Sequence, residues 1–187
     1  MNVDPDLITA CINRERKAEY QLYKNTYRYL MSICISYVNN EEEAKEMLNI
    51  GFLKILTNLK KYKCEVPFKA WIRKVMVNTL IDEYRKEKKH NENIEYVEEY
   101  METSDYSEVN SFVTKMDVDE INVLICQLPP MSRRVFNMYV IDGFSHKEIG
   151  QLLGMSEGTS KWHLNSSREK LKKMLQELIS PYIISAT

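Results

Sequence analysis

A chain of 187 residues with a formal net charge of −1 is long enough for one medium-sized domain or two small ones. Its hydrophobic fraction of 44% supports packed cores, whereas five glycines and five prolines are too few for a turn-rich all-β fold. No apolar run approaches the roughly 18 residues of a membrane span, and the N-terminus lacks a signal-peptide pattern, so we expect a cytoplasmic protein without membrane insertion.

The first elements in the chain have helical spacing. Asp4 before Pro5 is typical of a helix start, because it places an N-cap before a proline in the first turn. A second helix is indicated by apolar residues three and four positions apart: Tyr23, Tyr27, Leu30, Cys34 and Val38. Asn40 and Glu43 form a candidate capping box for a third helix. The buried stripe predicted for that helix is Ala44, Met47, Leu48, Gly51, Phe52, Ile55, Leu56 and Leu59.

A basic loop, KKYKCEVP, precedes a long helix that opens at Pro67 and ends in RKEKKHNEN. One face of this helix is apolar and includes Phe68, Ile72, Val75, Met76, Thr79 and Leu80. The other carries Lys74, Asn78, Asp82, Arg85 and Lys89, with Trp71 at the same azimuth. Cations, an amide and an aromatic ring together favour binding to single-stranded or opened DNA, although Trp71 equally suits a core position.

The next segment, NENIEYVEEYMETSDYSEVNS, has no helical periodicity. Residues 92–120 contain ten acids and one base, so the rest of the chain is net positive. We therefore expect a flexible acidic linker at residues 91–115, between helical domains at residues 1–90 and 116–187. No segment alternates convincingly like a strand, so the predicted fold class is all-α.

The second domain contains a helix-turn-helix pattern. Pro129 and Pro130 separate two helices, because neither position favours continuing a helix. Ser145 and Glu148 then form a capping box, and Gly154 suits the turn that follows. Ser156 is a candidate cap for the next helix, whose predicted inner face is Ser160, Leu164, Leu171 and Leu175. Its predicted outer face is Lys161, Trp162, Asn165, Arg168 and Lys172, which favours docking in a DNA major groove.

The residue types that carry metal or catalytic chemistry are scattered. Cys11, Cys34, Cys64 and Cys126 form no CxxC pair, so we expect buried reduced thiols rather than a zinc site or disulfides. The histidines, His90, His146 and His163, lack metal-ligand spacing, and no phosphate-binding glycine loop or nucleophile-elbow motif occurs. We expect no enzymatic activity, no metal and no cofactor.

Two long segments resemble a known family. The segment from LYKNTYRYLM to YRKEKK resembles region 2 of the sigma-70 family, and the segment from LPPMSRRVF to SSREKL resembles region 4. With only a short linker between these regions, the chain resembles the extracytoplasmic-function (ECF, group 4) sigma factors, over roughly residues 22–175. The resemblance implies promoter recognition and opening, with core RNA polymerase (its β′ and β subunits) and promoter DNA as partners and an anti-sigma factor as a candidate one.

The resemblance also implies roles for particular residues. KEMLNIGFLKIL matches the segment that binds the β′ coiled coil, with Asn49-Ile50 where the family usually has Gln-Glu; the core-binding residues are then Glu46, Asn49, Phe52 and Leu53. Residues 60–66 match the loop that captures a flipped base of the −10 element, and the helix after it faces that element; the residues implied are Lys61, Lys63, Trp71, Lys74, Asn78, Asp82 and Arg85. The helix that reads the −35 element has Ser166-Ser167 in place of a basic-small pair; the residues implied are Ser156, Glu157, Thr159, Lys161, Trp162, Asn165 and Arg168.

The length of the expected linker limits whether the two domains can bind both promoter elements at the same time. The acidic segment 92–120, about 30 residues long, spans only ~30 Å as a random coil and up to ~100 Å when stretched. The two elements lie more than two helical turns of DNA apart, at ~34 Å per turn. A free chain would seldom bridge them, so we expect polymerase to hold the two domains apart.

The residues leave other functions open. A stand-alone helix-turn-helix transcription regulator is the main alternative, with residues 1–89 as a sensor or dimerisation domain, but it does not explain the polar face from Lys74 to Lys89. A helical adaptor that touches no nucleic acid is a further alternative. Loss of the Arg168 side chain would then leave transcription unchanged.

Overall fold

The computed structural model describes residues 3–38, 40–90 and 118–184, with side chains described for residues 3–38, 40–89 and 121–178. Every regular element in these ranges is helical, which confirms the all-α prediction there. The chain divides into two compact units, Met1–Glu92 and Asn93–Thr187. The linker expected at 91–115 lies outside the described residues. Among the helices that are described, none has the length and apolar character that a membrane crossing requires.

The first unit is a bundle in which α2 packs against α1, α3 and α4, and α3 packs against α4. Its helices are α1 (Pro5–Ile12), α2 (Arg16–Tyr37), α3 (Glu41–Asn58) and α4 (Phe68–His90), with a 3-10 turn at Leu59–Lys61. The starts of α1 and α3 agree with the sequence: Asp4 accepts a hydrogen bond from the backbone N–H of Asp6, and Asn40 accepts one from that of Glu43 at 2.7 Å.

The buried face of α2 differs in part from the predicted one. Leu30, Cys34 and Val38 are buried as expected, but Tyr23 is only half-buried and Tyr27 is exposed. Upstream, the bundle instead buries Ala18, Leu22 and Thr26. At 3.6 residues per turn these positions form an adjacent stripe, and tyrosine at its edge keeps its hydroxyl accessible to water.

The faces of α3 and α4 follow the sequence pattern closely. In the α3 stripe, seven of the eight residues are buried and Leu56 is half-buried. Gly51 allows the close approach of α4, since a Cβ there would overlap the thioether of Met76. On α4, Val75 is half-buried and the rest of the apolar face is buried: Phe68, Ile72, Met76, Thr79 and Leu80. The polar side of α4 therefore remains on the surface.

The second unit contains α5 (Val118–Cys126), α6 (Pro130–Phe136), a π-helical turn (Asn137–Ile141), α7 (His146–Leu153) and α8 (Glu157–Ile184). Both α6 and α7 pack against α8. The two prolines separate α5 from α6 as predicted, with Pro129 as the N-cap. On the inner face of α8, Ser160, Leu164 and Leu175 are buried and Leu171 is half-buried.

The cysteines do not all fit the expectation of burial. The four cysteines are not joined in disulfides; Cys11 and Cys34 are buried, and burial raises the pKa of Cys34 to about 12. Cys126 is only half-buried, and Cys64 is exposed, which makes the prediction wrong at that position. Cys64 lies in the loop before α4, where it and its neighbours Lys63 and Glu65 are all exposed.

Candidate nucleic-acid interface

The turn between α7 and α8 sets the geometry of the C-terminal site. Both halves of the Ser145–Glu148 capping box form, which fixes the start of α7 and lowers the pKa of the Glu148 carboxyl. Gly154 ends α7 in the left-handed conformation, with φ 67°. A Cβ on Gly150 would lie 2.8 Å from the carbonyl oxygen of Met155, so only glycine allows the turn to pass this closely.

The first turn of α8 is capped as the sequence predicts. The backbone N–H of Thr159 donates to Ser156 Oγ at 2.9 Å, and the two hydroxyls lie 2.8 Å apart. Lys161 Nζ lies 2.8 Å from Glu157 Oε1, and this hydrogen bond lowers the pKa of the exposed Glu157 carboxyl. The roles of Ser156 and Thr159 in the fold are therefore those of capping residues, while Glu157 restrains a neighbouring cation.

The outer face of α8 presents mixed chemistry. Lys161 and Arg168 are exposed, whereas Trp162 and Asn165 are half-buried. Trp162 packs edge-on against His163, with ring centroids 4.8 Å apart. Asn165 lies four residues after Lys161 and three before Arg168, so these three side chains share one side of the helix. An amide flanked by two cations suits contact with a base edge and nearby phosphates.

The loop before α4 rests on an aromatic cluster formed by Tyr62, Phe68 and Trp71. The ring of Tyr62 lies 5.2 Å from that of Phe68 and 5.3 Å from that of Trp71. The Tyr62 hydroxyl donates to the backbone oxygen of Val66 at 2.9 Å, which ties the loop to the cluster. Trp71 is half-buried, and so belongs partly to the core and partly to the surface. Lys61 and Lys63 are exposed beside this cluster.

The polar face of α4 is exposed at Lys74, Asn78, Asp82 and Arg85. Asp82 is not a free carboxylate, because its Oδ2 lies 3.7 Å from Lys54 Nζ on α3. Sequence reasoning missed Lys54. These two residues are 28 positions apart in the chain, and local periodicity carries no signal for such a pairing.

The α3 residues assigned to core binding do not all lie on one surface. Glu46, Asn49 and Leu53 are exposed, and Leu53 is 61% exposed although it is a large apolar residue. Phe52 is only 8% exposed and packs edge-on against Tyr23 at 4.9 Å between ring centroids. The Tyr23 hydroxyl in turn donates to Asn49 Oδ1 at 3.4 Å. Phe52 is thus a buried residue beneath this surface rather than part of it. Tyr23, which the sequence pattern placed in the core, orients Asn49.

Two family models match the chain in order. The model for Sigma-70 region 2 matches residues 22–90, and the model for Sigma-70, region 4 matches residues 119–171. These ranges contain the two candidate DNA-facing surfaces and the exposed α3 residues.

Curated relatives share most of the length of the chain. It is 30% identical over 139 residues to the RNA polymerase sigma factor SigZ of Bacillus subtilis, which covers 74% of this chain and 76% of that protein. It is 26% identical over 161 residues to the ECF RNA polymerase sigma factor SigW of the same organism, with coverage of 80% and 84%. A solved structure of RpoE with the anti-sigma factor NepR from Bartonella quintana is similar at 16% identity and a TM-score of 0.47, covering 84% of this chain and 96% of that one.

Proposed function

The chain belongs to the sigma-70 family and is an RNA polymerase sigma factor of the ECF group, and we propose which of its surfaces bind core polymerase and which bind promoter DNA. Two observations show the family. SigZ is 30% identical to this chain over a segment that covers 76% of SigZ, and the region 2 and region 4 models match the chain in that order. We assign core binding and the −10 element to residues 1–90, the tether to 91–115, and the −35 element to 116–187. The stand-alone regulator is not favoured.

The N-terminal unit opens the promoter at the −10 element. The exposed lysines Lys61 and Lys63 attract the backbone of the separated strand, and the aromatic cluster behind them offers π-faces to an unstacked base. Along α4, Lys74 and Arg85 contact phosphates while the amide of Asn78 pairs with a base edge. Lys54 offsets the negative charge of Asp82 on this face, and so reduces the repulsion between that carboxylate and nearby phosphates.

The C-terminal unit docks α8 in the major groove at the −35 element. Asn165 reads a base edge, and Lys161 and Arg168 contact phosphates on either side of it. Lys161 must exchange its Glu157 partner for a phosphate, which reduces its net contribution. Trp162 packs its half-exposed ring on sugar edges.

The partners follow from these surfaces. The exposed residues Glu46, Asn49 and Leu53 contact the β′ subunit of core polymerase, and we expect the β subunit to hold the C-terminal unit. An anti-sigma factor is a further candidate partner. As a sigma factor the protein is an initiation factor rather than an enzyme; we propose no cofactor, and place it in the cytoplasm, where polymerase acts.

One binding experiment separates this proposal from the stand-alone regulator. A labelled promoter carrying both elements is titrated with the protein alone, with core polymerase alone, and with the two together. We expect a specific complex only when both are present. Tight, sequence-specific binding by the protein alone, unchanged by core polymerase, would favour a stand-alone regulator.

A further inference from the structure

A partly buried hydrogen bond joins the two helices of the helix-turn-helix. Ser160, on the inner face of α8, is 0% exposed. Its Oγ lies 3.0 Å from Nδ1 of His146, the first residue of α7. The His146 ring stacks on Tyr139 with 4.3 Å between centroids and 20° between planes, so its position is fixed from the other side as well.

A second anchor lies two helical turns further along α8. Ser167 is also 0% exposed, and its Oγ lies 2.9 Å from the backbone oxygen of Ser132 on α6 and 2.8 Å from that of His163 one turn earlier on α8, so its single proton is shared between these two acceptors. Ser160 and Ser167 are seven positions apart, about two helical turns, which places both hydroxyls on the same face of the helix. Apolar packing alone is non-directional, whereas hydrogen bonds weaken steeply with misalignment, so these anchors restrict rotation of α8 about its own axis.

That rotation decides which side chains meet DNA. Lys161 follows Ser160 directly, and Asn165 and Arg168 continue on the same outer side. A bidentate contact between an amide and a base edge requires the helix azimuth to be held closely, whereas a phosphate contact by a long cation tolerates displacement. Hydrogen bonds that fix the rotation of α8 about its axis therefore affect discrimination between DNA sequences more than the general affinity for DNA.

We propose that His146 is a positioning residue for promoter recognition, which acts through the buried Ser160 hydroxyl to set the azimuth of the recognition helix α8. The proposal rests on the proposed function of α8 at the −35 element. His146 itself contacts no base; it holds the helix that does.

Burial, together with nearby cations, lowers the pKa of His146 and so favours the neutral form of its ring. Burial is the largest cause that lowers its pKa, followed by the charge of Lys161, with a smaller contribution from Arg168, while Glu157 acts in the opposite direction. A neutral ring has one donor and one acceptor nitrogen, and a serine hydroxyl can complement either at Nδ1. The hydrogen bond between His146 Nδ1 and Ser160 Oγ can therefore form without protonation of the ring.

The test is a double-mutant cycle in the complete holoenzyme. His146→Phe keeps a ring on Tyr139 but removes Nδ1, and Ser160→Ala removes the hydroxyl while preserving the backbone. A promoter selected by the wild-type holoenzyme is compared with the same promoter carrying a scrambled −35 element. The measured quantity is the ratio of the two affinities. Gln151→Ala, an exposed position in the middle of α7, is the control and is expected to leave the ratio unchanged.

We expect each single substitution to lower the ratio about fivefold, the order of one lost hydrogen bond, and the double variant to lower it no further. His146→Asn, whose amide can occupy the place of Nδ1, is expected to restore most of the ratio. A ratio that stays unchanged, including the case in which both promoters lose affinity equally, would overturn the proposal, and so would additive losses of the ratio in the double variant. A wild-type holoenzyme that ignores the −35 element would instead refute the assignment of α8 to that element, and the proposal with it.

Discussion

Replacing Leu53 with glutamate tests the assignment of the α3 surface to core polymerase. Leu53 is 61% exposed, so the substitution removes little core packing, and we expect the free energy of unfolding to change by no more than about 0.5 kcal/mol. Full burial of a leucine stabilises by about 1.5–3 kcal/mol, so the exposed part can contribute about 1–2 kcal/mol when a partner covers it. A carboxylate left without a partner in that interface adds a further desolvation cost.

Together these effects predict that the Kd for core polymerase rises at least about tenfold. The assay is a titration of labelled protein with purified core polymerase, together with thermal unfolding of the free variant. Ile35→Glu provides the control, because Ile35 is an exposed aliphatic residue of the same unit, at 40% exposure, and lies on α2 rather than among the α3 residues assigned to the interface. An unchanged Kd would refute the assignment of Leu53 to the interface, and a collapse of the free variant would show that the residue belongs to the core.

Four other substitutions test the helix-turn-helix. Gly150→Ala is expected to destabilise the C-terminal unit by about 1–3 kcal/mol, because the added Cβ meets the Met155 carbonyl at 2.8 Å; a thermal unfolding midpoint equal to that of the wild type would contradict this. Ser145→Ala removes an N-cap and should cost about 1 kcal/mol by the same measurement. Asn165→Ala should relax promoter preference at one or two positions, at about 1–3 kcal/mol per lost contact, as measured by selection from a randomised −35 element; an unchanged selected sequence would refute it. Arg168→Ala should weaken binding to all sequences and reduce the salt slope by about one, whereas an unchanged slope would exclude a phosphate contact.

Local signals in the sequence predicted the features that depend on short separations. The caps at Asp4, Asn40 and Ser145, and the left-handed Gly154, each involve residues within a few positions of one another, and all four appear in the structure. The buried stripe of α3 could also be predicted, because only one face of that helix is apolar.

Where two faces of a helix are both partly apolar, periodicity does not choose between them. On α2 the prediction selected Tyr23 and Tyr27, but the bundle buries Leu22 and Thr26, since a tyrosine at the edge of the core keeps its hydroxyl hydrated. The choice depends on the shape of the helices packed against α2, which a single segment does not specify.

The missed features of the candidate site are pairings across long separations. Lys54 with Asp82, Tyr23 with Asn49 and His146 with Ser160 join residues on different helices. The serine at 160 was visible as a departure from an apolar inner face, but its partner follows only from how α7 crosses α8. Such pairs determine the orientation of the exposed side chains, whereas helical periodicity alone predicts which positions are exposed.

The central claim is that this chain directs core polymerase to promoters, and mapping RNA 5′ ends tests it most directly. Core polymerase is incubated with genomic fragments with and without the protein, and the starts of the transcripts are sequenced. We predict discrete starts that require the protein and share two upstream elements at constant spacing. Identical and dispersed starts in the two reactions would contradict it.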